Sequence, residues 1–293
     1  GMLTGRPDFT LIDRDTAPAG PRTFIVLNPS VVDPLTGVRR DYLKVTRAAT
    51  GAFRRAQVAT LAFCRTRKGV ELLTRYLRED EAGIEPGQAT GIDPVALARA
   101  EKRIRGYRGG YLPAHRREVE QALHSGEAQV VATTNALELG MDIGGLDAVV
   151  LAGYPGTRAA TLQRSGRAGR RQSAALTAMV LSSDPLDQCI AADPGFLFDE
   201  PPEHARVDPD NPELLVPHLR CAAYELPLTA EEGLAGIAAE ELAPVLEDLA
   251  ASGVLHREID EEGRRRYFSI GDSFPADKVD LRGGMEENFT VLE

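Results

Sequence analysis

Apolar positions change their spacing along this 293-residue chain, and the changes mark out its elements. "TFIVLNP" from Thr23 and "ATLAFC" from Ala59 to Cys64 are short, continuous apolar runs, the pattern of strands buried on both faces. Within 67–80, Val70, Leu72, Leu73, Tyr76 and Leu77 recur at helical intervals. "AGIEPGQATGIDP" breaks that pattern as a loop, and "VALARAEKRIRGY", Val95 to Tyr107, reads as a basic amphipathic helix. "RREVEQALHSG" is a further helix stopped by Gly126, and "AQVVATT", "LDAVVLAGYP" and "AALTAMVLSS" are three more strands. Strands alternating with helices at this pace predict an α/β fold, a parallel sheet with crossover helices.

The texture changes near Asp184. "DPLDQCIAADPGFLFDEPPEHARVDPDNPE" is acidic and broken by prolines and glycines, and reads as a connector with one short helix. "LLVPHLRCAAYEL", "GIAAEELAPVLEDLAASG" and "VLHREIDEEGRRRYFSI" then read as helix, helix and a hairpin turning near Glu262-Gly263, the outline of a small winged helix. The expected divisions are a lead-in over 1–38, an α/β domain over 39–183, a connector over 184–212, a winged helix over 213–271, and the start of a further region over 272–293.

Composition refines this outline. No run of about eighteen apolar residues occurs, so no membrane span is expected, and Gly1-Met2 resembles a tag remnant. Cys64, Cys189 and Cys221 lie far apart with no C-x-x-C, which points to a reducing, cytoplasmic setting without disulfides or a metal site. The net charge of −10 hides two unlike halves: residues 39–171 hold 23 Lys+Arg against 14 Asp+Glu, and residues 172–293 hold 8 against 26. Thirty of the 34 basic residues are arginine, which suits bidentate phosphate recognition and is equally what a biased genome gives.

The residues that carry chemistry gather in "LQRSGRAGRR", Leu162 to Arg171, where Arg164, Arg167 and Arg170 recur every third position with Gly166 and Gly169 between them. Strands ending at Thr133-Thr134 and Tyr154-Pro155-Gly156 precede it. Ligands of open parallel sheets sit beyond the carboxyl ends of the strands, so these arginines are expected to project into that crevice. Three guanidinium forks there suit a polyphosphate and the charge that develops in phosphoryl transfer.

Gln163, Gly166, Arg167, Ala168, Gly169 and Arg170 form Q-x-x-G-R-A-G-R, which resembles the sixth motif of superfamily-two helicases. "ATTNALELGMDIG" resembles their fifth motif, "LAFCRTRKGVELL" their fourth, and "GGYLPAHRREVEQAL" the stretch just before the fifth, all in the family's order. More narrowly, "TNALELGMDIGGLDAVVLAGYPGT" and "HLRCAAYELPLT" resemble bacterial and fungal DNA-repair helicases of the mitomycin-repair type, which carry a C-terminal zinc-binding domain. That domain has clustered cysteines and this chain has none, so no zinc is expected here.

The resemblance implies a RecA-like second motor lobe and assigns roles. Arg170 matches the arginine finger at the γ-phosphate, Arg167 its neighbour, and Gln163 the residue that senses the γ-phosphate or attacking water. Asp142 matches an acid that contacts the ribose or couples the two sites, with Gly140 and Gly166 on the same nucleotide side. Arg65, Thr66 and Thr134 match contacts to the nucleic-acid backbone, and Gly109-Gly110 and Arg116 fit another strand-facing loop. The doubled Thr133-Thr134 leaves open which hydroxyl serves. Read as residues alone, Gln163 is a surface amide, Asp142 a turn former beside Gly140, and Arg116 and Arg117 partners of Glu120 along a helix.

An ATPase of this type also needs G-x-x-x-x-G-K-[ST] to hold phosphates. None of the four lysines, Lys44, Lys68, Lys102 and Lys278, follows a Gly or precedes a Ser or Thr. Asp199-Glu200 falls in the Pro-rich connector after the arginine motif and reads as a chance likeness to a magnesium-binding pair. The family keeps both elements in a preceding lobe, and "LTGRPDFTLIDRD" resembles the seam after it. The chain is therefore expected to be half of an ATP-dependent DNA helicase, inactive and monomeric alone, with ATP and Mg2+ held mainly by the other half. Its expected partner is single-stranded or forked DNA, traversed 3′ to 5′ as in most relatives. A non-enzymatic DNA-binding or regulatory winged-helix protein is the alternative. A small-molecule α/β enzyme would need a nucleophile or a G-x-G-x-x-G loop, which "GLDAVVLAGYPGT" lacks.

Overall fold

Six strands with side chains buried on alternating faces build one parallel sheet. The computed structural model describes residues 8–10, 12, 20–85, 91–138, 146–169, 174–204, 211–234, 236–271 and 273–279. Its elements run β1 (Arg22–Leu27), a small hairpin of β2 (Val31–Asp33) and β3 (Val38–Arg39), α1 (Tyr42–Arg55), β4 (Thr60–Cys64), α2 (Arg67–Ala82), α3 (Pro94–Arg103) and β5 (Ile104–Tyr107). They continue as α4 (Pro113–His124), β6 (Val130–Thr133), β7 (Ala148–Ala152), α5 (Arg158–Ser165), β8 (Ala175–Val180) and α6 (Pro185–Ala192). The strand order is β1-β8-β7-β4-β6-β5, and every pairing is parallel.

The continuous apolar runs follow from burial on both sides of this sheet. In the central strand β4, Leu61 and Phe63 enter one core layer with Val131, Val149 and Met179, while Ala62 and Cys64 enter the opposite layer with Val70, Leu73 and Val150. The second layer is roofed by α1 and α2 through Leu43 and Leu77, the first by α4 and α6 through Val119 and Ile190. Thr66 caps α2 by accepting from the Gly69 N–H at 3.0 Å, and Gly83, at φ +69°, ends the helix.

The expected helix over Val95 to Tyr107 is corrected: α3 stops at Arg103, and Ile104–Tyr107 is the edge strand β5, paired with β6. Ile104, Gly106 and Tyr107 are buried there, and sheet pairing overrides a helical spacing that runs on unbroken from α3. Helix α1 was not anticipated at all. Its buried face uses Thr46, Thr50 and Gly51 beside Leu43, so its apolar stripe is thin, although Asp41 caps it by accepting from the Lys44 N–H at 2.8 Å.

Two facts bear on the expected divisions. Strand β1, in the stretch read as a lead-in, pairs with β8 and forms the opposite edge of the sheet. In the stretch read as a connector, α6 and a 3-10 turn at Pro194–Leu197 bury Ile190 and Leu197 in the sheet's core. Buried Asp187 accepts from the N–H groups of Ser182 and Tyr154 at 2.5 and 3.3 Å, tying α6 to the ends of β8 and β7.

Contacts divide the chain into two compact units, Arg14–His204 and the stretch from Ala205 onward. The second holds α7 (Pro212–Glu225), β9 (Leu228–Thr229), α8 (Ala239–Ala251), β10 (Leu255–Ile259) and β11 (Arg265–Ser269), with antiparallel order β10-β11-β9. Leu219, Leu242, Leu246, Leu255 and Tyr267 form its core, and Gly263, at φ +79°, turns the hairpin as expected. This is a winged helix, with short β9 added to the expected pattern. Among the described residues no helix is long and apolar enough to cross a membrane.

Candidate functional site

The arginine motif begins on α5, capped by Thr157 accepting from the Ala160 N–H at 3.0 Å. The helix ends at Ser165, so Arg164 and Arg167 do not share one helical face. Arg164, expected in the crevice, is instead buried: its guanidinium lies over the Phe63 ring at 5.3 Å, and Nε and Nη2 donate to the Glu138 carboxylate at 3.1 and 3.0 Å. Helical phase causes this, because position 164 faces the sheet while Leu162 and Gln163 stay exposed. Arg167 lies past the helix end, half-buried, donating Nε and Nη2 to the Glu138 carbonyl oxygen at 3.1 and 2.6 Å. Glu138 thus holds two motif arginines, one by its side chain and one by its backbone.

The small residues of the motif have local reasons. A Cβ on Gly166 would sit 3.1 Å from the Leu162 carbonyl oxygen at the helix end. Ala168 is fully buried and bridges to Leu146, and the Gly169 N–H donates to the Leu146 carbonyl at 2.9 Å. Gly169 adopts φ +99°, a region that favours glycine. Arg170, Asp142 and Gly140 lie outside the described residues.

Expected strand contacts cluster at the carboxyl ends of β4, β5 and β6. Thr133 is fully buried in β6, whereas Thr134 is half-buried at the start of a 3-10 turn and makes no side-chain cap, so Thr134 is the hydroxyl nearer to solvent. Arg65 follows β4 and lies over the Tyr42 ring at 5.3 Å, with Nη2 donating to Ser182 Oγ at 3.3 Å and Nη1 paired with Asp184. The hydrogen bond from Arg65 holds the Asp184 carboxyl below its ordinary range. Thr66 spends an oxygen lone pair on capping α2, whose first turn carries Arg67 and no acid.

The loop after β5 lies beside that helix start, since a Cβ on Gly109 would be 3.8 Å from the Arg67 guanidinium. Gly110 adopts φ +92°, and Arg108 is held by Glu71 at 2.7 Å and by the Tyr111 ring at 4.7 Å. Arg116 is exposed, and its Nε donates to the Tyr107 hydroxyl at 3.2 Å, which in turn donates to Glu120 at 2.7 Å. Its link to Glu120 therefore runs through a tyrosine rather than directly along α4.

Several contributors were not legible beforehand. Glu203 places its carboxylate on the first N–H groups of α5, accepting from Arg158 and Ala159 at 2.7 and 3.1 Å, where the helix dipole favours an anion. Arg158 pairs with Glu200 at 2.9 Å and donates to the carbonyls of Phe196 and Pro201 at 2.6 and 3.2 Å. Acids and carbonyls of residues 196–203 thus grip the arginine-motif helix from its start. Asp199-Glu200, read as a chance likeness, supplies one of these grips through Glu200.

In the winged unit, every arginine of the hairpin has an acid partner: Arg257 and Arg265 with Glu247, each at 2.7 Å, and Arg264 and Arg266 with Asp260 at 2.9 and 3.2 Å. Helix α8 carries no basic residue and exposes Glu240, Glu241 and Asp248. Such a helix presents charge of the same sign as a phosphate backbone.

Residues 46–172 match the helicase conserved C-terminal domain, and residues 207–284 match the winged helix domain of ATP-dependent helicase HRQ1. The chain is similar to the uncharacterised ATP-dependent helicase YprA of Bacillus subtilis, 40% identical over 100% of this chain and 36% of that protein. It is likewise similar to the ATP-dependent helicase HRQ1 of Saccharomyces cerevisiae, 32% identical over 99% of this chain and 26% of that protein. The crystal structure of the DUF1998 helicase MrfA bound to DNA and AMPPNP superposes with a TM-score of 0.76 at 40% identity, covering 98% of this chain and 37% of that one. The chain spans about a quarter to a third of the length of these curated relatives. With the parallel sheet, the arginine motif that begins on α5 and the winged helix that follows in sequence, the chain belongs to the superfamily-two helicases, of which it carries the second RecA-like lobe and a winged helix of the HRQ1 type.

Proposed function

We propose that this chain is one half of an ATP-dependent DNA helicase, in which a preceding lobe supplies the phosphate loop and this lobe completes the nucleotide site from across a cleft. The observation that carries the reading is the double hold of Glu138 on Arg164 and Arg167. It ties α5 and Arg167 to the turn that follows Thr134, which supports a mechanical link between the nucleotide side and the strand side of this lobe. A change at the γ-phosphate is thereby transmitted to the strand contacts.

In this reading Arg170 reaches the γ-phosphate and stabilises the charge that develops as its bond breaks, with Gln163, exposed on α5, aligning the attacking water. Asp142, with Gly140 and Gly166, borders the nucleotide. Arg65, Thr66, Gly110, Arg116 and Thr134 follow the sugar-phosphate backbone of a single strand. Closing and opening of the cleft steps the two lobes along that strand, 3′ to 5′, in DNA repair. The acid-paired wing and acidic α8 support a role for the winged helix as a strand guide rather than a duplex reader. In this reading ATP and Mg2+ are held mainly by the preceding lobe, and no step here runs through the metal.

The test is ATP hydrolysis at saturating single-stranded DNA, by this chain and by the full-length gene product side by side. Hydrolysis by the long form only is expected. Hydrolysis by this chain alone would require a phosphate site of its own and would overturn the two-lobe reading.

A further inference from the structure

We infer that Asp184 is an internal competitor for the strand phosphate at Arg65 and sets how tightly this lobe holds single-stranded nucleic acid. The inference rests on the reading of Arg65 as a backbone-phosphate contact. Arg65 and Asp184 come from the ends of different strands, 119 positions apart, and meet at the rim of the sheet.

Apart from Asp184 and buried Asp187, whose carboxylate acts on Arg65 more weakly and is spent on the N–H groups of Ser182 and Tyr154, the cradle around Arg65 is neutral. Tyr42 offers a ring face, Ser182 a hydroxyl at 3.3 Å, and Gly153 bare backbone so close that a Cβ there would lie 2.8 Å from Arg65 Nε. These groups aim the guanidinium without neutralising it, and Asp184 supplies the carboxylate that pairs with it directly. A carboxylate and a phosphate present similar paired oxygens to the same guanidinium fork, so one can replace the other.

Asp184 is also turned away from its ordinary task. It stands at the N-cap of α6, where an aspartate normally accepts from its own helix, yet its side chain makes no cap hydrogen bond and goes to Arg65 instead. The pair remains open to exchange, because the Asp184 side chain is 55% exposed and that of Arg65 31%. When a phosphate arrives, Arg65 exchanges one anion for another, and the freed Asp184 lies beside the bound strand and repels it. Asp184 therefore weakens the grip and eases release of the strand between steps.

The experiment measures binding of fluorescein-labelled oligo(dT) to the 293-residue chain by anisotropy across a salt series, for the parent, Asp184→Asn, Arg65→Ala and the double variant. Asparagine is as good an N-cap as aspartate, so α6 is preserved, and far-UV circular dichroism checks each fold. Asp184→Asn is expected to bind about two- to fivefold tighter, the range in which an exposed pair contributes. Its plot of log affinity against log salt should steepen by about 0.7, because an unpaired Arg65 now releases a full counterion from the single strand. In the Arg65→Ala background the same change should do nothing. If Arg65→Ala weakens binding while Asp184→Asn leaves affinity and slope unchanged, or weakens binding, then Asp184 only buttresses Arg65 and the inference fails while the reading of Arg65 stands. If Arg65→Ala itself changes nothing, the phosphate-contact reading falls and takes the inference with it.

Discussion

Replacing Glu138 by alanine tests whether the arginine motif is held in place by a buried ion pair. The Arg164 and Glu138 side chains are only 11% and 14% exposed, and the two Arg164–Glu138 hydrogen bonds of 3.1 and 3.0 Å leave no room for water between them. Removing one partner of such a pair leaves an uncompensated charge, which costs about 3–5 kcal/mol. The residual contact with solvent places this site at the lower end, about 3 kcal/mol. The chain has no tryptophan, so urea unfolding is followed by far-UV circular dichroism. With a slope of about 2–3 kcal/mol per molar for a domain of this size, the midpoint should fall by about 1–1.5 M. A charge-free pair, Glu138→Leu with Arg164→Met, keeps the stem packed on Phe63 and should recover to within about 1 kcal/mol of the parent. A Glu138→Ala midpoint within about 0.2 M of the parent would refute the structural role of the pair. A double variant as unstable as the single one would show that lost packing, not the orphaned charge, sets the cost.

Gly153→Ala combines a backbone at φ +87° with a methyl group pressed on Arg65, so it should lower stability by about 1–3 kcal/mol and weaken oligo(dT) binding at the same time. Unchanged binding would mean that Arg65 does not need this cradle. In the winged helix, hydrogen bonds from Tyr267, Arg265 and Arg257 hold the Glu247 carboxyl below its ordinary value of 4.5. A lowered folded value means that the stability it contributes is full above pH 4.5 and is lost as pH falls below that toward the folded value. Melting temperature should therefore decline less steeply below pH 4.5 in Glu247→Gln than in the parent, and equal slopes would count against the linkage. Burial pushes the Cys64 thiol up to about 12, whereas Cys189 is exposed, so iodoacetamide at pH 8 should label Cys189 and spare Cys64 until the chain is unfolded. Labelling of Cys64 in the folded chain would contradict its place in the core.

The sequence by itself determined the class of fold and the motifs. Strands such as Thr60–Cys64 and Val130–Thr133 are buried on both faces, so every residue must be apolar or small, and that requirement is visible as a continuous run. The hairpin turn at Gly263 was equally legible, because a left-handed backbone there demands glycine. What failed were elements whose signal is set by neighbours. Ile104–Tyr107 continues the helical spacing of α3 and becomes a strand only because β6 offers it an open edge. Helix α1 hides its buried face behind threonines, and β1, legible as a strand, takes its place at the sheet edge only by pairing with β8 across nearly the whole length of the unit.

The same division runs through the candidate site. The three-residue spacing of Arg164, Arg167 and Arg170 showed a cationic motif, but spacing treats its members alike. Only the tertiary structure separated them, by ending α5 at Ser165, turning Arg164 onto Phe63 and bringing Glu138 to both Arg164 and Arg167. Likewise Arg65 was legible as a cation at a strand end, while its partner Asp184 was not, since residues 119 positions apart become neighbours only through the strand order of the sheet. A linear pattern records what each residue must be for its own element. Which charges neutralise one another depends on which strand ends the fold sets side by side.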